Sequence, residues 1–133
     1  MKIIVDTSVW SHALRRKQES THAAVDQLKE LLLAGESIFY LGVILTEILQ
    51  AVSSDTVFRQ IEKQFDSFDL IELSRNDYVC AAKLATRCRV KGIHAGTIDF
   101  LIASAAIEHD CWLHTVDTDF VHIAKICPLK LLT

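Results

Sequence analysis

The sequence predicts an α/β fold, a mostly parallel central sheet of about five strands flanked by helices on both faces, and three observations carry that expectation. Short β-branched apolar runs alternate with longer stretches of helical periodicity along the whole chain. Glycines and capping residues punctuate the junctions between them. Half of the 133 residues are hydrophobic, which suffices for one core, while every apolar run falls short of the roughly 18 residues that a membrane span needs. A single domain over residues 1–133 is expected.

The elements follow in order. "KIIVD" opens the chain as a strand over about residues 2–6, followed by the polar, basic "SHALRRKQES". In "THAAVDQLKELLLAGE", Ala24, Leu28, Leu31 and Leu32 share a helical face, and Gly35 ends that helix as a left-handed cap would. "SIFYL" is a second strand leading through Gly42 into the helical "VILTEILQAV". "DTVFRQIEKQFDSF" begins with Asp55 in a capping position, and Phe58, Ile61 and Phe65 recur at helical spacing. "LIEL" is a third strand; "NDYVCAAKLATRCRVKG" is a helix stopped at Gly92; "TIDFLIASAAIEHD" is another, rich in small residues and expected to be well buried. "CWLHTV" is a fourth strand, "DTDFVHIAK" a short helix, and "LKLLT" after Pro128 a fifth strand.

The formal net charge of −3 opposes a generally basic nucleic-acid coat, although it says little about how charge is distributed. Cys80, Cys88, Cys111 and Cys127 form no C-x-x-C pair, which fits reduced core thiols better than disulfides or zinc. The first residues show no basic region followed by an apolar signal segment, so the chain is expected to remain cytoplasmic.

In such folds ligands bind beyond the carboxyl ends of the parallel strands. Asp6 follows the first strand and Asp117 the fourth, so both should emerge at one edge. Glu47 and Asp99 each sit within apolar helical sequence, where a solvated surface charge is not expected. Asp6 alone could equally be the cap of the next helix. If all four converge, two carboxylates about 4 Å apart repel by about 4 kcal/mol at an effective dielectric near 20. A divalent ion removes that repulsion, and an all-oxygen ligand set suits Mg²⁺ or Mn²⁺ better than Zn²⁺. The chemistry that follows is phosphodiester hydrolysis.

"IIVDTSVW", "LTEIL", "GTIDFLIASAA" and "LHTVDTDF", in this order and at these separations, resemble the four acidic motifs of PIN-domain ribonucleases. The short chain is similar to the VapC toxins of type II toxin–antitoxin pairs, over Lys2 to about Leu131. The resemblance implies a PIN-like fold with Asp6, Glu47, Asp99 and Asp117 as the catalytic and metal-binding quartet, Asp6 and Asp99 being the direct ligands. Ser8 and Thr115 match hydroxyl positions that orient carboxylates or water. Implied with them are Mg²⁺ or Mn²⁺, an RNA substrate, a homodimer, a cognate VapB-like antitoxin, and hydrolysis that leaves 5′-phosphate and 3′-hydroxyl ends. Gly42 departs from the Ser or Thr cap that often precedes the Glu47 helix in relatives. Asp119 either supports the metal site or caps the helix "FVHIAK".

Other residues invite a functional and a structural account. Lys83, Arg87 and Lys91 form a stripe that can track an RNA backbone or simply be a solvated helix face; the same holds for Arg15, Arg16 and Lys17. Trp10 can stack on a base, but an aromatic after a core strand more often packs. The six histidines show no metal-ligand spacing. Leu14, Leu28, Leu31 and Leu32 are either antitoxin contacts or core. Two other functions remain: a non-catalytic RNA- or protein-binding module of the same fold, and a D-x-D phosphatase on Asp117 and Asp119, for which too little chain follows Asp119.

Overall fold

The computed structural model of the protein describes residues 1–14 and 22–132. The basic run of Arg15, Arg16 and Lys17 lies outside the described residues. The strands are β1 (Lys2–Val5), β2 (Ser37–Leu41), β3 (Asp69–Ile71), β4 (Trp112–His114) and β5 (Lys130–Leu131). They form one sheet in the order β3-β2-β1-β4-β5, and all four pairings are parallel. The helices are α1 (Thr7–Ala13), α2 (Ala23–Leu33), α3 (Gly42–Gln50), α4 (Asp55–Gln64), α5 (Arg75–Val90), α6 (Thr97–Glu108) and α7 (Asp119–Ile123). A 3₁₀ turn at Phe65–Ser67 joins α4 to β3.

β1 is the central strand, and its sequence explains why. Ile3, Ile4 and Val5 are each 0 % exposed. Successive strand residues point to opposite faces, so a strand buried at every position must be covered on both. Ile4 pairs with Phe39 on one side and Leu113 on the other, which places the most apolar strand in the middle of the register. The chain runs outward from β1 through β2 to β3, then crosses back to β4 and on to β5. The crossover puts a topological switch point between the carboxyl ends of β1 and β4, where open parallel sheets form a crevice.

Helix ends follow local chemistry. Gly35 and Gly92 adopt φ of +73° and +76°, and the N–H groups of Glu36 and Ile93 reach back to Leu31 and Cys88 carbonyls. α6 ends the same way on Asp110, a non-glycine at φ +54°, whose carboxylate holds Lys130 Nζ at 2.7 Å. The Asp110 carboxyl titrates below its usual range because Lys130 donates to it.

Several expectations change in detail. The segment after Asp6 opens as α1, capped by Asp6 as the sequence allowed, with Val9 and Trp10 buried. Ser54, not Asp55, caps α4, its hydroxyl accepting Val57 N–H. Val57 rather than Phe58 joins Ile61 and Phe65 in the core, and Phe58 is exposed. Leu28 is buried, Leu31 half-buried and Leu32 exposed, so the core face of α2 is narrower than its leucines imply. β3 starts one residue earlier than "LIEL" and is shorter. All four cysteines are free; Cys88 and Cys111 are buried, while Cys80 and Cys127 are only half-buried. Trp10 packs against Phe65 and Phe68 with ring centroids 5.1 and 5.4 Å away, the packing role.

The α5 N-terminus carries a full capping box, in which Ser74 Oγ accepts Asp77 N–H and Asp77 Oδ2 accepts Ser74 N–H at 2.8 Å. His109 Nε2 lies 3.4 Å from Asp77 Oδ1 at the far end of the α5–α6 pair. The Asp77 carboxyl is held below the ordinary carboxylate range by the Ser74 backbone N–H first, with the Ser74 hydroxyl and His109 adding to it against burial. A lowered folded pKa means the unfolded chain binds more protons, so this stability is complete above the unfolded value near 4 and is lost as pH falls through the folded one. Ser74→Ala is expected to cost about 1 kcal/mol. Asp77→Asn should flatten the acid limb of stability below about pH 5, read from urea midpoints across pH; an unchanged slope would remove Asp77 as its source.

Candidate active site

The switch-point edge gathers acidic side chains from three separate stretches, after β1, at the start of α6 and after β4. Asp6 leaves β1 with its N–H on the His114 carbonyl at 2.9 Å, extending the sheet ladder by one residue. It is 5 % exposed and caps α1, with Oδ2 accepting Ser8 N–H at 3.4 Å. That same oxygen accepts Ser8 Oγ–H at 2.6 Å and Thr115 Oγ1–H at 2.9 Å. Thus capping and site placement coincide in one carboxylate.

The loop after β4 is tied to the same hydroxyls. Val116 N–H donates to Ser8 Oγ at 3.2 Å and Asp117 N–H to Thr115 Oγ1 at 3.0 Å. Asp117 Oδ1 in turn accepts Asp119 N–H at 2.9 Å. The carboxylate that serves the start of α7 is therefore that of Asp117, while Asp119 makes no side-chain cap. Asp99 lies in the first turn of α6, its Oδ2 accepting Gly96 N–H at 3.1 Å. Glu47, on α3, receives the Thr7 hydroxyl at 2.8 Å on Oε1.

Asp99, Asp117 and Asp119 each offer a carboxylate oxygen, and these three oxygens lie within 4.8 Å of one another. The Asp99 carboxyl is pushed up by burial first and further by Asp117, Asp6 and Asp119, against the Gly96 N–H that draws it down. Asp6 therefore belongs to the same electrostatic neighbourhood as the triad. Glu47 is bonded to Thr7, the residue after Asp6, and is not among the acids that bear on Asp99. Among the described residues this is the sole group of three or more potential ligands placed to hold a metal ion, and it is entirely carboxylate. Such a donor set fits a hard divalent ion.

The other candidates fall elsewhere. A cavity of about 620 Å³ along α5 and α6 is lined by Arg89 and His94 but by none of these acids. Lys83 and Arg87 line a hollow of about 300 Å³ with Glu108 and Cys127, and Arg87 Nη2 donates to the Ile126 carbonyl at 2.7 Å. Lys91 ends α5 and is exposed. Two smaller hollows flank the acids: a groove of about 450 Å³ lined by Glu47, Leu14, Ile48 and Val57, and one of about 310 Å³ beside Thr115 and Asp117. His114 is buried, with Nε2 2.8 Å from the Ala24 carbonyl, and its neighbour Thr115 rather than its ring serves the site. Sequence reasoning missed the Thr7–Glu47 contact; Thr7 stands beside Asp6, but nothing local in the sequence ties it to a residue 40 positions away.

The chain matches the family model described as PIN domain over residues 3–126. No curated protein matches it in sequence. Among solved structures it resembles a chain of VapBC2 from Rickettsia felis bound to a promoter DNA fragment, with TM-score 0.79 and 22 % identity over 99 % of this chain and 98 % of that one. VapBC-1 from nontypeable Haemophilus influenzae gives TM-score 0.77 and 16 % identity over 99 % and 97 %. Mycobacterium tuberculosis VapC20, described as a sarcin–ricin-loop-cleaving toxin, gives 0.66 and 13 % over 90 % and 92 %. At these identities the structural likeness speaks for the fold. Among the described residues no helix is long and apolar enough to cross a membrane.

Because the charge on Asp99 is disfavoured in the fold, removing it should relieve the folded state. Asp99→Asn, which keeps an oxygen for Gly96 N–H, is expected to melt higher than the parent at neutral pH in EDTA. Its raised folded pKa makes the parent gain stability as pH falls through that value, and the variant should lack this gain. A variant that melts lower in EDTA at neutral pH would contradict the repulsion.

Proposed function

The chain belongs to the PIN domain family, and from that premise we propose that it is a VapC-type toxin, a metal-dependent endoribonuclease silenced by a VapB-like antitoxin. The observation that carries the proposal is the approach of Asp99, Asp117 and Asp119 oxygens within 4.8 Å, with Asp6 beside them, at the carboxyl edge of the sheet. A structural protein gains nothing from concentrating repulsion there.

Asp99, Asp117 and Asp119 are the residues grouped to hold Mg²⁺ or Mn²⁺, with Asp6 and Glu47 adjoining. Such an ion would supply charge neutralisation, Lewis acidity toward a phosphoryl oxygen and acidification of water. Ser8 and Thr115 hold Asp6 in one rotamer, so the carboxylate is preorganised. In the proposed reaction a water attacks phosphorus opposite the 3′ oxygen and a site carboxylate takes its proton. The 3′ oxygen leaves and is protonated, giving a 5′-phosphate and a 3′-hydroxyl. Lys83 and Lys91, exposed on α5, are proposed to meet the RNA backbone farther from the cut.

The solved structures that the chain resembles include complexes of toxin with antitoxin. That likeness supports a cognate antitoxin for this chain, with a basic antitoxin side chain as the natural complement to the acids, and a homodimer is proposed with it. The runner-up, a non-catalytic module of the same fold, predicts no response to divalent ions.

Asp6→Asn and Asp117→Asn are expected to abolish RNA cleavage while the fold persists, with 5′-phosphate ends in the parent digest. A cyclic phosphate product would remove the mechanism. Mg²⁺ or Mn²⁺ at a hundred times its Kd should stabilise the parent by about 2.7 kcal/mol. No thermal shift and no cleavage would favour the non-catalytic module.

A further inference from the structure

We propose that Thr7 is a positioning residue for Glu47, fixing that carboxylate in one orientation at the residue that follows Asp6 so that it contributes to cation binding and turnover. This rests on the nuclease reading above and concerns how one of its acids is held.

Thr7 is the first residue of α1, and the helix does not need its hydroxyl. Asp6 provides the cap, its carboxylate accepting Ser8 N–H and its carbonyl the N–H groups of Val9 and Trp10. A helical threonine usually turns its hydroxyl to a carbonyl three or four residues back. For Thr7 those residues are Ile4 and Ile3, within a strand paired on both sides. The Thr7 hydroxyl instead crosses to α3 and donates to Glu47 Oε1 at 2.8 Å.

Glu47 needs such a partner more than the other acids do. Asp6, Asp99 and Asp117 have short side chains, and each has one oxygen held by N–H or hydroxyl donors close to helix starts. Glu47 sits mid-helix on a longer side chain, on a helix whose own start at Gly42 has no side-chain cap. In this same orientation it lines the groove of about 450 Å³ formed with Leu14, Ile48 and Val57, which leaves the longer side chain open space to turn into. Threonine is a stiff donor because its β-branch restricts χ1. One short hydrogen bond from it selects between the orientations, and it does so without neutralising the charge. Partners of this kind behind a metal-binding carboxylate typically alter metal affinity or activity by about 10–100-fold when removed.

The test compares the parent with Thr7→Val, Thr7→Ser and Glu47→Gln, each alone and Thr7→Val also combined with Glu47→Gln. Two quantities are read: Mn²⁺ affinity from thermal shift titration, and kcat and KM for hydrolysis of a short RNA. Thr7→Val is expected to weaken Mn²⁺ binding and lower kcat by about 10-fold or more with KM little changed. Thr7→Ser, which keeps the hydroxyl, should restore most of both. In the Glu47→Gln background Thr7→Val should add little, because the two residues act as a unit. If Thr7→Val does not fold by circular dichroism, Thr7→Ala carries the same comparison. A Thr7→Val variant equal to the parent in Mn²⁺ affinity and kcat overturns the proposal, as do fully additive effects with Glu47→Gln. A parent that neither binds Mn²⁺ nor cuts RNA overturns the nuclease reading itself, and that outcome is seen before any substitution is made.

Discussion

Mutual repulsion among carboxylates at the carboxyl edge of β1 and β4 is the constraint around which the rest of the molecule is arranged. Two such charges about 4 Å apart cost about 4 kcal/mol at an effective dielectric near 20, against a total stability of about 5–15 kcal/mol for a typical domain. The Asp99 carboxyl is pushed up by burial first, against the Gly96 N–H, and Asp117, Asp6 and Asp119 add their repulsion to that desolvation. A loose scaffold would relax it by letting the side chains drift into solvent. Here the acids stem from a strand buried on both faces, a loop stitched to it by hydroxyls, and helix starts.

Topology explains why the acids meet where they do. The strand order reverses between β1 and β4, so the segments leaving these strands diverge and open a crevice between them. Asp6 and Asp117 occupy its two sides. α6 brings Asp99 into their electrostatic neighbourhood, and α3 brings Glu47 against Thr7 at the start of α1. None of these placements is local, yet each depends on a short local motif: strand, acid, hydroxyl, helix.

That dependence decides what was legible from sequence. Buried strands read as unbroken apolar runs, so the sheet and its acidic edge were visible in "IIVDTSVW" and "LHTVDTDF". Ser8 and Thr115 were legible as hydroxyls near an acid, and the structure gives them Asp6 as their partner. Asp119 was ambiguous because a carboxylate at a helix start looks like a cap; only geometry shows Asp117 accepting the helix N–H and Asp119 joining the oxygen cluster. The stripe of Lys83, Arg87 and Lys91 reads the same in sequence whether it faces a groove or solvent. Which residues of α2 and α4 turn inward was misjudged at Leu32 and Phe58, because helical periodicity specifies a face but not how wide a neighbour covers it.

The chemistry of the holding groups carries one more implication. The ion pairs among the described residues join Met1 to Glu36, His109 to Asp77 and Lys130 to Asp110, and none touches Asp6, Glu47, Asp99 or Asp117. Those four are held by hydroxyl and backbone N–H donors. A lysine or arginine in the same places would orient the carboxylates equally well, but it would also cancel their charge. Neutral donors separate the two jobs, fixing direction while leaving the negative field intact. That intact field is what the nuclease reading proposed above requires, since it would be answered by a divalent ion or by a partner's cationic side chain.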